Sequence, residues 1–164
     1  MRLPAIVQQL ARPLPLGPVE LMANAAFHRV LHRHVRLFER LGEHGSRTFA
    51  FVPVDLPFAF VVVPVRRRIA VLRPDRLPRT DVRIGGAIAT LLALAEGRLD
   101  GDAEFFARGV SVDGDMEAAL ALRNAMDDCR IDLATDLAPD GPLRRPVEAL
   151  LQTLRSAALS GAVR

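Results

Sequence analysis

A chain of 164 residues, half of them apolar, is long enough for one domain with a core of its own. Its net charge is only +3, lysine, Trp and Tyr are absent, and phenylalanine alone would have to supply stacking surfaces, so no nucleic-acid partner is expected. The single cysteine, Cys129, excludes an internal disulfide and a thiolate zinc cluster.

No run approaches the roughly 18 uninterrupted apolar residues of a membrane span. The longest, Leu56 to Val65, contains two prolines. Leu3, Ile6, Val7 and Leu10 fall at helical spacing, which fits either a short amphipathic interfacial helix or a frayed tail; Pro13, Pro15 and Pro18 end it. Gln8, Gln9 and Arg12 interrupt what would be a signal-peptide core, so the expected location is cytoplasmic, with peripheral contact at the inner membrane as a further option.

Val19 to Leu41 predicts a long helix with Ala23, Phe27, Val30, Leu31, His34, Val35, Phe38 and Leu41 on one side. On its flank the spacing of Arg29, Arg33, Arg36 and Arg40 stacks guanidinium groups along one edge. That edge suits an anionic membrane surface or an acidic partner, though a solvated face is the commoner fate of such charges. His28 and His32 stand one turn apart with no carboxylate or thiol to complete a metal site, and no metal is expected.

Thr48 to Val54, Leu56 to Val65 and Arg67 to Arg73 then read as consecutive antiparallel strands. The middle one is apolar on both faces, with Phe58, Phe60 and Val62 opposite Ala59, Val61 and Val63, as expected of a strand covered on each side. Asp81 to Ile84 supplies a fourth strand. Gly85-Gly86 opens a helix carrying Ile88, Leu91, Leu92 and Leu94, which stops at Gly97. A short helix from Asp100 to Ala107 presents Phe105 and Phe106. Val110 and Val112 alternate with Ser111 and Asp113 in a fifth strand, Asp115 occupies an N-cap position, and Ala118, Ala121, Leu122, Ala125, Met126 and Cys129 make one helical stripe. Pro139 to Pro146 is a loop, and Val147, Leu150, Leu151, Leu154 and Ala158 give a last amphipathic helix.

Enzyme chemistry finds no foothold in this pattern. Gly109 to Asp113 lacks the second glycine of a nucleophile elbow, and Gly85-Gly86 is too short for a dinucleotide fingerprint. Asp113 and Asp115 are explained as turn and capping residues. No catalytic residue and no cofactor is expected.

The Phe105-Phe106 pair, the following basic residue and short strand, the Gly114-Asp115 turn and the helix bearing Asn124 and Asp127 resemble the sterol-carrier-protein type (non-specific lipid-transfer) domain family. Within it they are most similar to the UbiT-type accessory factors of ubiquinone biosynthesis. The likeness runs from about Thr48 to Asp128. It implies an α+β domain with a five-stranded sheet, helices on one face and an apolar tunnel, divided as an N-terminal helical extension at 1–45, a lipid-binding domain at 46–130 and a C-terminal loop and helix at 131–164. It also implies a non-catalytic factor that binds or presents prenylated precursors to ring-hydroxylating partner proteins in oxygen-independent ubiquinone biosynthesis. Phe58, Phe60, Phe105, Phe106, Met116, Leu120 and Met126 are the candidates for lining a tunnel around an isoprenoid or other lipid, because Phe and Met adapt to irregular apolar ligands. The alternative is a peripheral membrane scaffold that binds anionic headgroups and holds no apolar ligand.

Overall fold

The computed structural model describes residues 13–96, 109–129, 131 and 132, and the single positions Arg145, Ala149 and Gln152. The amphipathic segment at Leu3 to Leu10, the short helix with Phe105 and Phe106, and all but those three positions of the last loop and helix lie outside the described residues.

Helix α1 (Leu16–Arg33) begins after an extended Pro15, whose fixed φ and missing N–H suit a helix start. It is shorter than the periodicity predicts. At His34 the backbone leaves helical geometry, and the chain passes into a 3-10 segment, Glu39–Ser46, kinked at Gly42, where φ is 52°. The physical reason lies in the core: the break turns Leu37 and Leu41 inward, where both are buried in one cluster with Phe49, Ala118, Leu122 and Ala125. Val35, expected on the apolar side, is exposed.

The strands are β1 (Phe49–Pro53), β2 (Ala59–Val63), β3 (Arg68–Leu72), β4 (Val82–Gly86) and β5 (Val110–Gly114). They form one mixed sheet in the order β3-β2-β1-β4-β5, antiparallel except where β1 and β4 run side by side in parallel. Gly85 and Gly86 close β4 instead of opening a helix; helix α2 (Ile88–Ala95) starts after Ala87. A side chain on Gly86 would press on the Gly109 carbonyl, so this corner requires glycine.

Register sorts the side chains into two faces. Phe49 pairs with Val62 and Val62 with Ile69, Phe51 pairs with Phe60 and Phe60 with Val71, and Val82 and Ile84 join them from β4. All point to the side covered by α1, α2 and helix α3 (Met116–Cys129). On the opposite side Ala50, Val52, Ala59 and Val61 pack with Ala70, Leu72 and Leu77. The two-faced apolar pattern of β2 therefore has its cause in packing on both sides of the sheet. The architecture is α+β, with a five-stranded sheet and helices gathered on one face.

Three polar devices hold this arrangement. At the β5–α3 junction the Ala118 N–H donates to Asp115 Oδ1 at 3.0 Å, the N-cap bond expected of Asp115. Asp115 N–H in turn donates to the Asp81 carbonyl at 2.9 Å, while the Thr48 N–H donates to the Asp81 carboxylate at 2.7 Å. Asp81 thus ties the starts of β1 and β4 to the start of α3. At α2, the Ile88 N–H donates to Asp55 Oδ1 at 2.9 Å; this buried carboxylate sits at the positive end of the helix.

The third device guards a sheet edge. Asn24 on α1 donates to the Ile69 carbonyl at 2.7 Å and accepts from the Ile69 N–H at 3.0 Å. One turn earlier Glu20 accepts from the Val71 N–H at 3.0 Å and pairs with Arg68 at 2.9 Å. Helix side chains satisfy the outer edge of β3, which would otherwise be open to another strand.

Candidate functional site

Between the covered sheet face and the helices lies an apolar cavity of about 330 Å³. Ala23, Phe27 and Val30 of α1 form one wall, Phe49, Phe60 and Val62 the floor, and Leu91 and Leu92 of α2 the far side. Every described residue that lines it is apolar. A second cavity of about 230 Å³ lies toward the β4–β5 side, bounded by Ile84, Val110 and Val112 below and by Met116, Ala119 and Leu120 of α3 above. Phe51, Leu91, Ala95, Leu122 and Met126 line both cavities and form the partition between them. The larger space is at the lower end of the roughly 300–1,000 Å³ typical of small-molecule sites.

The second cavity opens at α3, where Met116 is 57% and Leu120 55% exposed despite their size. Arg123 is the one charged residue among those described that line either cavity. Such a site holds an aliphatic chain by removing apolar area from water, at about 25 cal/mol per Å², and needs no charged contact along the chain itself.

Among the described residues no three His, Cys, Asp or Glu side chains come together as a metal site. Burial pushes the Cys129 thiol up from its ordinary value, with the nearby Arg40 acting weakly in the opposite direction, so the thiol stays protonated near neutral pH. The Asp115 carboxyl lies below the usual carboxylate range, chiefly because the Ala118 N–H bonds to its charged form, with Arg47 at 3.4 Å assisting. That is the electrostatics of a helix cap. No helix among the described residues is long and apolar enough to cross a membrane.

The structure distributes the expected tunnel residues unevenly. Phe60 lines the larger cavity, Met116 and Leu120 the smaller, and Met126 both. Phe58 lines neither: it shares the face of Phe60, but the end of β2 falls beneath Leu16 and Val19, where Phe58 packs against Val71 with the Arg73 guanidinium 5.0 Å above its ring. Arg73 also donates to the carbonyls of Pro57 and Leu14, clamping the start of α1 to the sheet. Phe105 and Phe106 lie outside the described residues.

The row of arginines is corrected by the early end of α1. Arg29 and Arg33 are on the helix, whereas Arg36 and Arg40 lie beyond it, and Arg40 pairs with Asp128 of α3, so the four do not form one helical edge.

Sequence reasoning passed over Glu20 and Asn24, whose signal was a carboxylate and an amide four residues apart beside the half-buried stripe of Ala23 and Phe27. Asp55, which accepts from the first N–H of α2, and Arg123, which lines the smaller cavity, were not singled out either.

Comparison with known proteins accounts for this geometry. The family model of the SCP-2 sterol transfer family matches residues 27–127, more than half of the chain. Among solved structures, the "UbiJ-SCP2 Ubiquinone synthesis protein" is similar at a TM-score of 0.56 and 16% identity, with 73% of this chain and 98% of that one covered. Sterol carrier protein domain 2 of Helicoverpa armigera gives a TM-score of 0.49 at 16% identity over 74% of this chain and 95% of that one. Sterol carrier protein 2 of Yarrowia lipolytica gives 0.46 at 12% identity over 73% and 98%. No curated protein matches the sequence at a significant level. At identities this low the UbiJ likeness speaks for the fold, and the family match carries the assignment. With its five-stranded mixed sheet, its helices on one face and a family match across residues 27–127, the chain belongs to the SCP-2 sterol transfer family.

Proposed function

We propose that this chain is a non-catalytic lipid-binding accessory factor of the UbiT type, which binds or presents prenylated quinone precursors to ring-hydroxylating partner proteins in oxygen-independent ubiquinone biosynthesis. The observation that carries the reading is the pair of adjoining cavities, lined almost wholly by apolar side chains and separated by the flexible Met126 among others. The likeness to a solved ubiquinone synthesis protein supports the pathway. In this reading Phe60, Met116, Leu120 and Met126 contact the chain, with Phe105 and Phe106 completing the site and Phe58 bracing its end. Residues 46–130 form the lipid-binding domain, 131–164 a C-terminal loop and helix, and the extension at 1–45 contributes a cavity wall through α1. The protein works in the cytoplasm, in peripheral contact with the inner membrane.

Lipid extraction and native mass spectrometry of protein purified from its own host test the proposal. The expected result is a stoichiometric isoprenoid adduct. Protein that carries no lipid and takes up no added isoprenoid would overturn it.

A second reading, a peripheral membrane scaffold without apolar ligand, draws on the surface. Leu21 and Met22 are each 73% exposed and Val65 66%, close to the consecutive Arg66, Arg67 and Arg68 at the β2–β3 turn. Apolar residues beside clustered arginines suit an anionic bilayer. Arg29, Arg33, Arg36 and Arg40 are candidates for the same membrane or a partner. Salt-sensitive sedimentation with anionic vesicles by protein that never takes up lipid would favour this reading over the first.

A further inference from the structure

A groove of about 650 Å³ runs between α1 and the β2–β3 turn, and among the described residues it shares no lining side chain with either apolar cavity. Its helix wall passes from Gly17 through Leu21 and Asn24 to His28, one stripe of α1. Those ends are about 16 Å apart along the helix axis, room for about five residues of extended chain. The floor is held in place, because Asn24 and Glu20 are both hydrogen-bonded to β3.

The opposite wall is three consecutive arginines, Arg66, Arg67 and Arg68. Neighbours on a strand point to opposite faces, so three in a row line one groove only where the backbone leaves strand geometry. It does so through the 3-10 turn Pro64–Arg66 and at Arg67, with φ of 47° and ψ of 39°. Arg67 is the one non-glycine residue of positive φ among those described, in a left-handed conformation that strains an arginine and would not strain glycine. Glu20 is the one carboxylate among the described residues that line the groove, and it is already engaged, by the Val71 N–H at 3.0 Å and by Arg68 at 2.9 Å. The exposed side chains of Arg66 and Arg67 have no ion pair or hydrogen bond among the described residues. Across from them Leu21 is 73% exposed.

We propose that this groove is the docking site for an acidic segment of a partner protein. Carboxylates of the segment pair with Arg66 and Arg67, and an apolar side chain beside them rests on Leu21. A chain segment fits a cleft between a helix and a turn, whereas a bilayer surface is too broad to enter it. None of this depends on what the apolar cavities carry.

Fluorescence anisotropy with a labelled heptapeptide, Glu-Glu-Glu-Leu-Glu-Glu-Glu, tests the site against the same peptide with Gln in place of Glu. Wild type is expected to bind the acidic peptide at least about tenfold more tightly, with the preference shrinking as salt is raised. Arg66→Glu with Arg67→Glu should abolish that preference. Arg76→Glu with Arg79→Glu, which changes net charge equally at exposed arginines outside the groove, should leave binding within about threefold of wild type. Gly17→Leu supplies the steric arm: a Cβ there meets nothing within 4 Å, and leucine favours a helix over glycine, so the variant should melt no lower than wild type and yet lose the peptide. Equal binding of the two peptides by wild type, binding of neither, equal loss from both charge reversals, or peptide binding that survives Gly17→Leu each overturns the proposal. Vesicles of phosphatidylglycerol and phosphatidylcholine give the membrane outcome: sedimentation that depends on Arg66 and Arg67 and is strengthened by the added leucine, from protein that ignores the peptide, would assign these arginines to a bilayer and sink the groove.

Discussion

Asn24 reaches from α1 to the outer edge of β3 and makes, with one side-chain amide, both hydrogen bonds that a neighbouring strand would make to Ile69. Alanine there leaves a partly buried N–H and carbonyl without partners, and we expect Asn24→Ala to lower stability by about 1–3 kcal/mol. The check is a urea melt in which the midpoint falls and the slope is kept. Glu20 makes the same edge sensitive to acid. Its carboxyl lies below its ordinary value of 4.5, first because the Val71 N–H bonds to the charged form and then because Arg68 does. Since the folded value is the lower one, the unfolded chain takes up the proton first, so this contribution is fully present above the ordinary value and is lost as pH falls through it toward the folded value. Thermal melts of Glu20→Gln should therefore show a shallower loss of stability below about pH 4.5 than wild type. Some acid sensitivity remains, because Asp115 is shifted in the same direction.

The elements were legible to different depths, and the reasons are physical. β2 announced itself because both of its faces are buried, and α3 because a capping carboxylate preceded a clean apolar stripe. The end of α1 was hidden: Val30, His34, Leu37 and Leu41 keep helical spacing through the break, so periodicity cannot distinguish one long helix from a helix followed by a 3-10 segment that delivers Leu37 and Leu41 to the same core. The Gly114-Asp115 pair was visible as a turn, but its long-range role was not, because the partner that demands it, Asp81, lies far away in sequence. Gly114 has φ of 100°, and a Cβ on it would overlap the Asp81 carbonyl oxygen. Gly114→Ala should then cost more than about 3 kcal/mol, from backbone strain added to a steric clash that only backbone movement relieves. A melting temperature near that of wild type would show that the β5–α3 corner yields more easily than its packing implies.

At the scale of the molecule, the apolar site was legible only as a class of side chain; which residues meet around empty space depends on register and helix placement, which is why Met126 and Phe60 face a cavity while Phe58 fills a corner. Met126 stands between both cavities, so Met126→Trp should fill ligand space and abolish lipid uptake while leaving the melting temperature within a few degrees of wild type. In a filled core the same change overpacks and destabilises by typically ~1–3 kcal/mol. Loss of stability without loss of lipid would argue against ligand space at that position. The guarded edge of β3 bears on how such a site can be filled. Helix α1 is at once a wall of the larger cavity and the cover of a strand edge, so using it as a door would break the Asn24 and Glu20 bonds and lay bare backbone groups ready to pair with another chain. Exchange through the α3 side breaks none of these bonds, and a crosslink pinning α1 to β3 should leave the rate of ligand exchange unchanged. Cargo that arrives and departs by that route never forces the protein through a form whose open edge invites its neighbours to stack.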